Sequence, residues 1–206
     1  MKTIAWNVDT QYDFMRADGK LYVQDAEKIE GNLEKLTNLF RKKGTAIVNT
    51  GDWHNEHTAE ISDTPDFVNT FPEHCMQNTH GADYVGATKP ANALYVDWQD
   101  EKADLDAIAG AKEIVIYKDM FDVFAGNPHT DKIVDALGPD RVIVYGVATN
   151  VCVNYAVRGH LERGLEVYVV EDAIKELPNI PSPVDGWVKA GARLIRTEDA
   201  VNYIGG

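Results

Sequence analysis

The chain has 206 residues, 44% hydrophobic and 26% charged, with a formal net charge of −13. That charge argues against nucleic acid or an anionic membrane surface as a partner, since both reward clustered cations. No apolar run approaches the roughly 20 residues that span a bilayer, and the opening MKTIAWNVDTQYDF is too polar for a secretion signal, so a cytoplasmic protein of one domain over 1–206 is expected.

Residues 3–8, TIAWNV, read as a short buried strand that ends at Asp9. Residues 26–43 carry Ile29, Leu33, Leu36, Leu39 and Phe40 at helical spacing, with Gly44 as the stop. A second strand covers 45–50. After it comes a long segment rich in His, Asp, Pro and Asn, whose Trp53, Phe67 and Phe71 argue that it is packed rather than disordered. Residues 91–98 suit either a strand or an extended cover, and 103–111 a short helix. Residues 113–117, EIVIY, form the next strand, with Lys118 at its end, and a helix follows over about 129–137. The stretch 141–164 is a strand, a bend at Gly146 and a helix stopped by Gly164, with Val151, Tyr155, Val157 and Leu161 at helical spacing. A strand over 165–170, a helix over 184–192 and a last strand over 193–196 continue the rhythm. Alternating strands and helices imply a parallel sheet covered on both faces.

Three strand ends bear groups capable of chemistry. Cys152 sits where a strand gives way to a helix, where free N–H groups and the positive end of the helix dipole favour a thiolate; it is either a nucleophile or a small buried hydrophobe. Asp9 is either a reacting carboxylate or a turn residue bonding its own backbone, and Lys118 either a cation beside the thiol or simply where the strand meets water. Asp52 and His54, with His57 and His74 further on, offer a carboxylate and imidazoles suited to Zn²⁺, Fe²⁺ or Mn²⁺, or are ordinary surface and core residues. His80 and His129 read as solvated loop residues, and Phe121 and Phe124 as pocket walls or core. The two cysteines, Cys75 and Cys152, do not suggest a disulfide framework.

The stretches VDTQYDF (8–14), GDWH (51–54), FPEHCMQNTHGAD (71–83), YKDMFDVF (117–124) and GVATNVCV (146–153) run in one order across most of the chain. In that order they resemble the isochorismatase-like cysteine hydrolases, nicotinamidase/pyrazinamidase branch. The resemblance implies a three-layer αβα sandwich around a six-stranded, mainly parallel, Rossmann-like sheet, with a metal-site or lid insertion at about 51–100. It implies Cys152 as nucleophile, Asp9 as general base and acid, and Lys118 as the cation that orients Asp9. It implies a cis peptide between Val147 and Ala148, with the N–H groups of Ala148 and Cys152 at the oxyanion. It further implies Asp52, His54 and His74 as ligands of a divalent metal, with His57 a further candidate, and a substrate ring between Phe14 and Phe71, Phe124 completing the pocket. The implied reaction is hydrolysis of nicotinamide to nicotinic acid and ammonia through a thioester, in a dimer or tetramer. Isochorismatases proper hydrolyse a vinyl ether and lack the nucleophile that Cys152 supplies.

Two departures widen the choice of substrate. His57 follows His54 without the proline of the family's DWHPxxH motif, and Thr149–Asn150 stands where nicotinamidases commonly carry TD, as in branches acting on carbamoyl or ureido compounds. The remaining reading is a ligand-binding α/β domain in which Cys152 is inert.

Overall fold

The computed structural model describes residues 1–204. Seven strands, β1 (Thr3–Val8), β2 (Ile47–Asp52), β3 (Leu94–Val96), β4 (Glu113–Lys118), β5 (Arg141–Val147), β6 (Glu166–Lys175) and β7 (Arg193–Ile195), form one sheet in the order β3-β4-β2-β1-β5-β6-β7. Every pairing is parallel. The sheet is therefore seven-stranded, not six-stranded. The added strand is the edge strand β3, with Leu94 and Tyr95 exposed and only Val96 buried. Of the strand or extended cover that 91–98 suits by sequence, the structure forms a three-residue strand.

The helices are α1 (Tyr12–Met15), α2 (Glu30–Lys43), α3 (Leu105–Gly110), α4 (Val123–Gly126), α5 (Thr130–Leu137), α6 (Cys152–Glu162) and α7 (Val184–Lys189). Because successive strand residues point to opposite faces, the sheet separates two cores. Ile4, Trp6 and Val8 of β1, with Val142 and Val144 of β5, pack against Val153, Ala156 and Val157 of α6 and Ile133 and Leu137 of α5. Ala5, Ile143 and Tyr145 face the other way, onto Leu33, Leu36 and Phe40 of α2. The buried face of α6 centres on Val153, Ala156, Val157 and His160; of the Val151, Tyr155, Val157, Leu161 stripe that spacing suggests, Val157 is buried and the other three are only half-buried.

Chain order reverses its direction of travel at β1: β2 lies on one side of it and β5 on the other. A parallel sheet opens a crevice at the C-terminal ends of its strands at such a switch point. Gly146 lets β5 close on β1 just there, at a φ of 119°, where a Cβ would lie 2.1 Å from the Val8 carbonyl oxygen.

His160 lies in the α6 core at 0% exposure, edge-on to Trp6 with ring centroids 4.3 Å apart, and neither ring nitrogen has a hydrogen-bond partner. Burial, assisted by the Arg163 charge, holds its pKa down to about 3 from 6.5. A base depressed by folding takes up protons first in the unfolded chain, so this contribution to stability is complete above pH 6.5 and is lost as pH falls towards 3. Urea unfolding at several pH values should show it: between pH 6 and 4 the wild type should lose about 1.4 kcal/mol per pH unit more than a His160→Leu variant.

Candidate active site

The C-terminal ends of β4, β2, β1 and β5 bring Lys118, Asp52, Asp9 and Cys152 together across the sheet. Register pairs Asp52 with Lys118 directly. Asp9 leaves β1 at a φ of 48°, in the left-handed region that Asp tolerates better than most residues. Cys152 is the first residue of α6, where an N–H has no intrahelical acceptor. The Val147–Ala148 peptide just before it is cis.

Lys118 is 1% exposed, and its ammonium is the hub of the group. It lies 2.9 Å from Asp9 Oδ2, closer still to Asp52 Oδ1, and 3.8 Å from Cys152 Sγ. Asp9 Oδ1 accepts the Thr50 hydroxyl at 2.6 Å. Burial works against the ammonium, but Asp52, Asp9 and Cys152 together hold it well above the ordinary lysine range. Burial likewise opposes the Asp52 charge, yet Lys118 and the two neighbouring imidazoles hold that carboxyl well below its usual value. Asp9 goes the other way: burial, with the Asp52 charge adding to it, outweighs Lys118 and raises its pKa. Burial also pushes the Cys152 thiol well up, against the pull of Lys118 and helped by both carboxylates. Burial among carboxylates thus opposes the thiolate that a helix start favours in isolation.

A small cavity opens on this group. Cys152, Ala148 and Asp52 form its floor, and Phe14, Phe71 and Phe121 are among its walls. Phe124 is not among them. It stacks on Trp6 with centroids 6.4 Å apart and lies under the Arg163 guanidinium at 3.6 Å, filling space that Gly159 leaves open. The pocket aromatic from this stretch is Phe121.

The Isochorismatase domain model matches residues 6–180 of the chain. The chain belongs to the isochorismatase family. Among curated proteins it is similar to the nicotinamidase of Escherichia coli, 28% identical over 184 residues, covering 82% of this chain and 80% of that one. It is also 28% identical over 134 residues to the nicotinamidase/pyrazinamidase of Mycobacterium tuberculosis, covering 61% of this chain and 62% of that one. Of solved structures, N-carbamoylsarcosine amidase from Thermoplasma acidophilum superposes with a TM-score of 0.75 at 25% identity, over 96% of this chain and 98% of that one. Pyrazinamidase of Pyrococcus horikoshii in complex with zinc superposes with a TM-score of 0.73 at 26% identity, over 95% and 99%.

Within this isochorismatase-family chain, Asp52, His54 and His74 meet on the side of Asp52 facing away from Lys118. Asp52 Oδ2 lies 3.6 Å from His54 Nε2 and 3.5 Å from His74 Nε2. Donors bound to one zinc ion in a tetrahedral array stand about 3.4 Å apart, so this spacing suits a shared ion rather than direct hydrogen bonds. His54 is 0% exposed with neither ring nitrogen bonded, a cost that a bound cation would offset. His74 Nδ1 lies 2.7 Å from the Pro72 carbonyl oxygen, the kind of outer contact that aims the other nitrogen at a metal. The donor set therefore fits a divalent cation. His57 takes no part: its side chain is 85% exposed and lies beside Glu56. His129, read as a solvated loop residue, is buried with Nε2 2.8 Å from the Asp100 carbonyl oxygen.

Two residues of the VDTQYDF stretch fasten this wall to the sheet. Gln11 Oε1 accepts the Asp52 N–H at 2.7 Å, and its Nε2 donates to the Asp52 and Ala82 carbonyls. Asp13 Oδ2 accepts the Cys75 N–H at 2.7 Å, anchoring the segment that carries Phe71 and His74. Cys75 is fully buried behind this wall, where burial pushes its thiol well up, and unlike Cys152 it does not line the cavity. Glu60, which has no motif to announce it, also lines the cavity. It accepts the Phe121 N–H at 2.8 Å, and burial pushes its carboxyl up to about 8.

Removing Lys118 leaves two buried carboxylates without a counter-charge. A Lys118→Met variant should lose about 3–5 kcal/mol in chemical unfolding, and adding Asp9→Asn should recover part of that loss. Metal analysis after dialysis against zinc should find about one ion per chain in the wild type and in His57→Ala, and far less in His54→Ala or His74→Ala.

Proposed function

We propose that this chain is a metal-assisted cysteine amidase that converts a small ring carboxamide, nicotinamide in the first instance, to its acid and ammonia. The chain is a hydrolase acting on carbon–nitrogen bonds. The observation that carries the finer reading is the position of Lys118, which holds Asp9 at 2.9 Å and Cys152 Sγ at 3.8 Å at the base of an aromatic-walled cavity with an Asp/His/His cation pocket beside it.

Asp9, its pKa raised by burial, takes the thiol proton as Cys152 Sγ attacks the amide carbonyl carbon. Lys118 stays charged throughout and compensates the negative charge as it passes between the thiolate and the carboxylate. The N–H groups of Ala148 and Cys152, neither engaged in the turn and loop hydrogen bonds among the described residues, stabilise the tetrahedral oxyanion. Asp9 then passes its proton to the leaving nitrogen, the C–N bond breaks, and ammonia departs from a thioester. Asp9 next takes a proton from water, whose oxygen attacks the thioester carbonyl; the C–S bond breaks, Asp9 returns that proton to the Cys152 sulfur, and the carboxylic acid is released. Phe14 and Phe71 hold the ring. A cation on Asp52, His54 and His74 would supply a Lewis acid for a ring lone pair or its bridging water, fixing the orientation of the ring.

A second reading, hydrolysis of a carbamoyl or ureido amide, is favoured by the likeness to N-carbamoylsarcosine amidase. Asn150 does not decide between the two. Its side-chain amide is consumed by the backbone of Leu177 and Ile180 and reads no substrate.

The test is ammonia release from nicotinamide by the protein with Zn²⁺, Mn²⁺ or Fe²⁺ supplied. Activity is expected, with a Cys152→Ala control reduced about 10⁴-fold or more. Silence with every metal, accompanied by turnover of N-carbamoyl amino acids, would transfer the proposal to the second reading.

A further inference from the structure

A second hollow lies on the far side of the cavity's aromatic wall. Phe71, Phe121 and Val151 line both the cavity and this hollow, which Phe67, Val68 and Ile180 help to complete. A run of ring contacts joins the two, from His74 to Phe71 at 6.3 Å between centroids and from Phe71 to Phe67 at 6.4 Å. On the facing side Phe121 lies against Tyr155 at 5.0 Å.

Phe67 and Val68 are 58% and 70% exposed, yet the turn that carries them is tightly built. Asp66 Oδ1 accepts the N–H groups of Val68, Asn69 and Thr70 at 2.9, 2.8 and 2.9 Å, and the Phe67 N–H donates to the Thr70 carbonyl at 3.0 Å. Large apolar side chains held out in water by a well-bonded turn, beside a catalytic cavity, mark a contact surface. The lining of this hollow carries no charged side chain, in a chain where 26% of residues are charged. Its polar groups are partly spent: Asn150 is bonded to the backbone of Leu177 and Ile180, and Asn154 Oδ1 accepts the Trp187 indole N–H at 2.8 Å. What remains to meet a ligand is mainly apolar.

We infer that this hollow is a subsite for an uncharged, apolar extension on the acyl part of the substrate, so that substituted ring carboxamides are preferred to the bare ring amide. The inference rests on the amidase reading above: with ammonia as the leaving group, only the acyl part can carry an extension. The extension takes no part in the chemistry. The C–S bond to Cys152 forms at the carbonyl carbon, the C–N bond breaks as the nitrogen leaves with the proton relayed by Asp9, and water then cleaves the C–S bond and restores the thiol.

Binding is measured by calorimetry on zinc-loaded Cys152→Ala protein, with nicotinamide and with a series bearing a butyl group at each free ring carbon in turn. The same pairs are compared by kcat and KM on the active enzyme. At least one extended amide should bind about tenfold more tightly than nicotinamide. Val68→Asp, and Phe67→Asn, which suits the φ of 57° at that position, should each remove most of the gain, as a higher KM with kcat little changed. No gain with any substituent, or a gain that survives both variants, would overturn the subsite. So would a dimer that Val68→Asp splits without altering selectivity, since the hollow would then belong to a second copy of the chain. Binding is read on a protein that cannot turn over, so a failure to release ammonia counts against the amidase reading alone.

Discussion

The site depends on one buried cation. Lys118 is placed by the end of β4 among two carboxylates and a thiol, all nearly sealed from water. Taking such charges out of water costs several kcal/mol each, and the cost is tolerable only because each charge meets another at contact distance. The consequences run in opposite directions for the two acids. Lys118 and the imidazoles hold the Asp52 pKa down, whereas burial, with the Asp52 charge adding to it, raises that of Asp9 despite the same cation. A pair of carboxylates whose environments separate them in this way can divide the work, one as a fixed charge and one as a group that takes and returns a proton.

Asp52 also joins two halves of the site. One of its oxygens faces Lys118 and the other faces His54 and His74. The Asp/His/His group and Cys152 are therefore not independent modules. Gln11 secures the backbone of Asp52 from the β1 side, and Asp13 secures the segment of His74, so the polar turn after β1 braces both at once. A parallel sheet makes this economical, because adjacent strands end on the same edge and short register pairings fix their last residues against one another.

The long segment between β2 and β4 supplies most of what distinguishes the cavity. Trp53 stacks on Tyr117 at 4.2 Å between centroids, and the Phe71 N–H donates to the Glu60 carbonyl at 2.7 Å. These contacts turn a stretch with little periodicity into a wall with Phe71 on its inner side and Phe67 and Val68 at its rim. The same wall brings in Glu60, a buried carboxyl that joins the lining with no motif of its own.

The sequence by itself determined the sheet's strand and helix rhythm and the three strand-end groups Asp9, Lys118 and Cys152, because a polar residue closing a run of buried β-branched residues is legible in one dimension. It also marked Asp52, His54 and His74 through the family stretches that surround them. Tertiary structure alone decided the rest. Phe121 rather than Phe124 reached the cavity because Gly159 leaves the Phe124 ring a berth beside Trp6. His57 stayed in water because its turn faces outward, and the edge strand β3 formed because β4 offered it a partner. The upward shift of the Cys152 thiol comes from burial, among carboxylates that lie far from it in sequence, and electrostatics at such short range follows position in space, which local spacing does not encode.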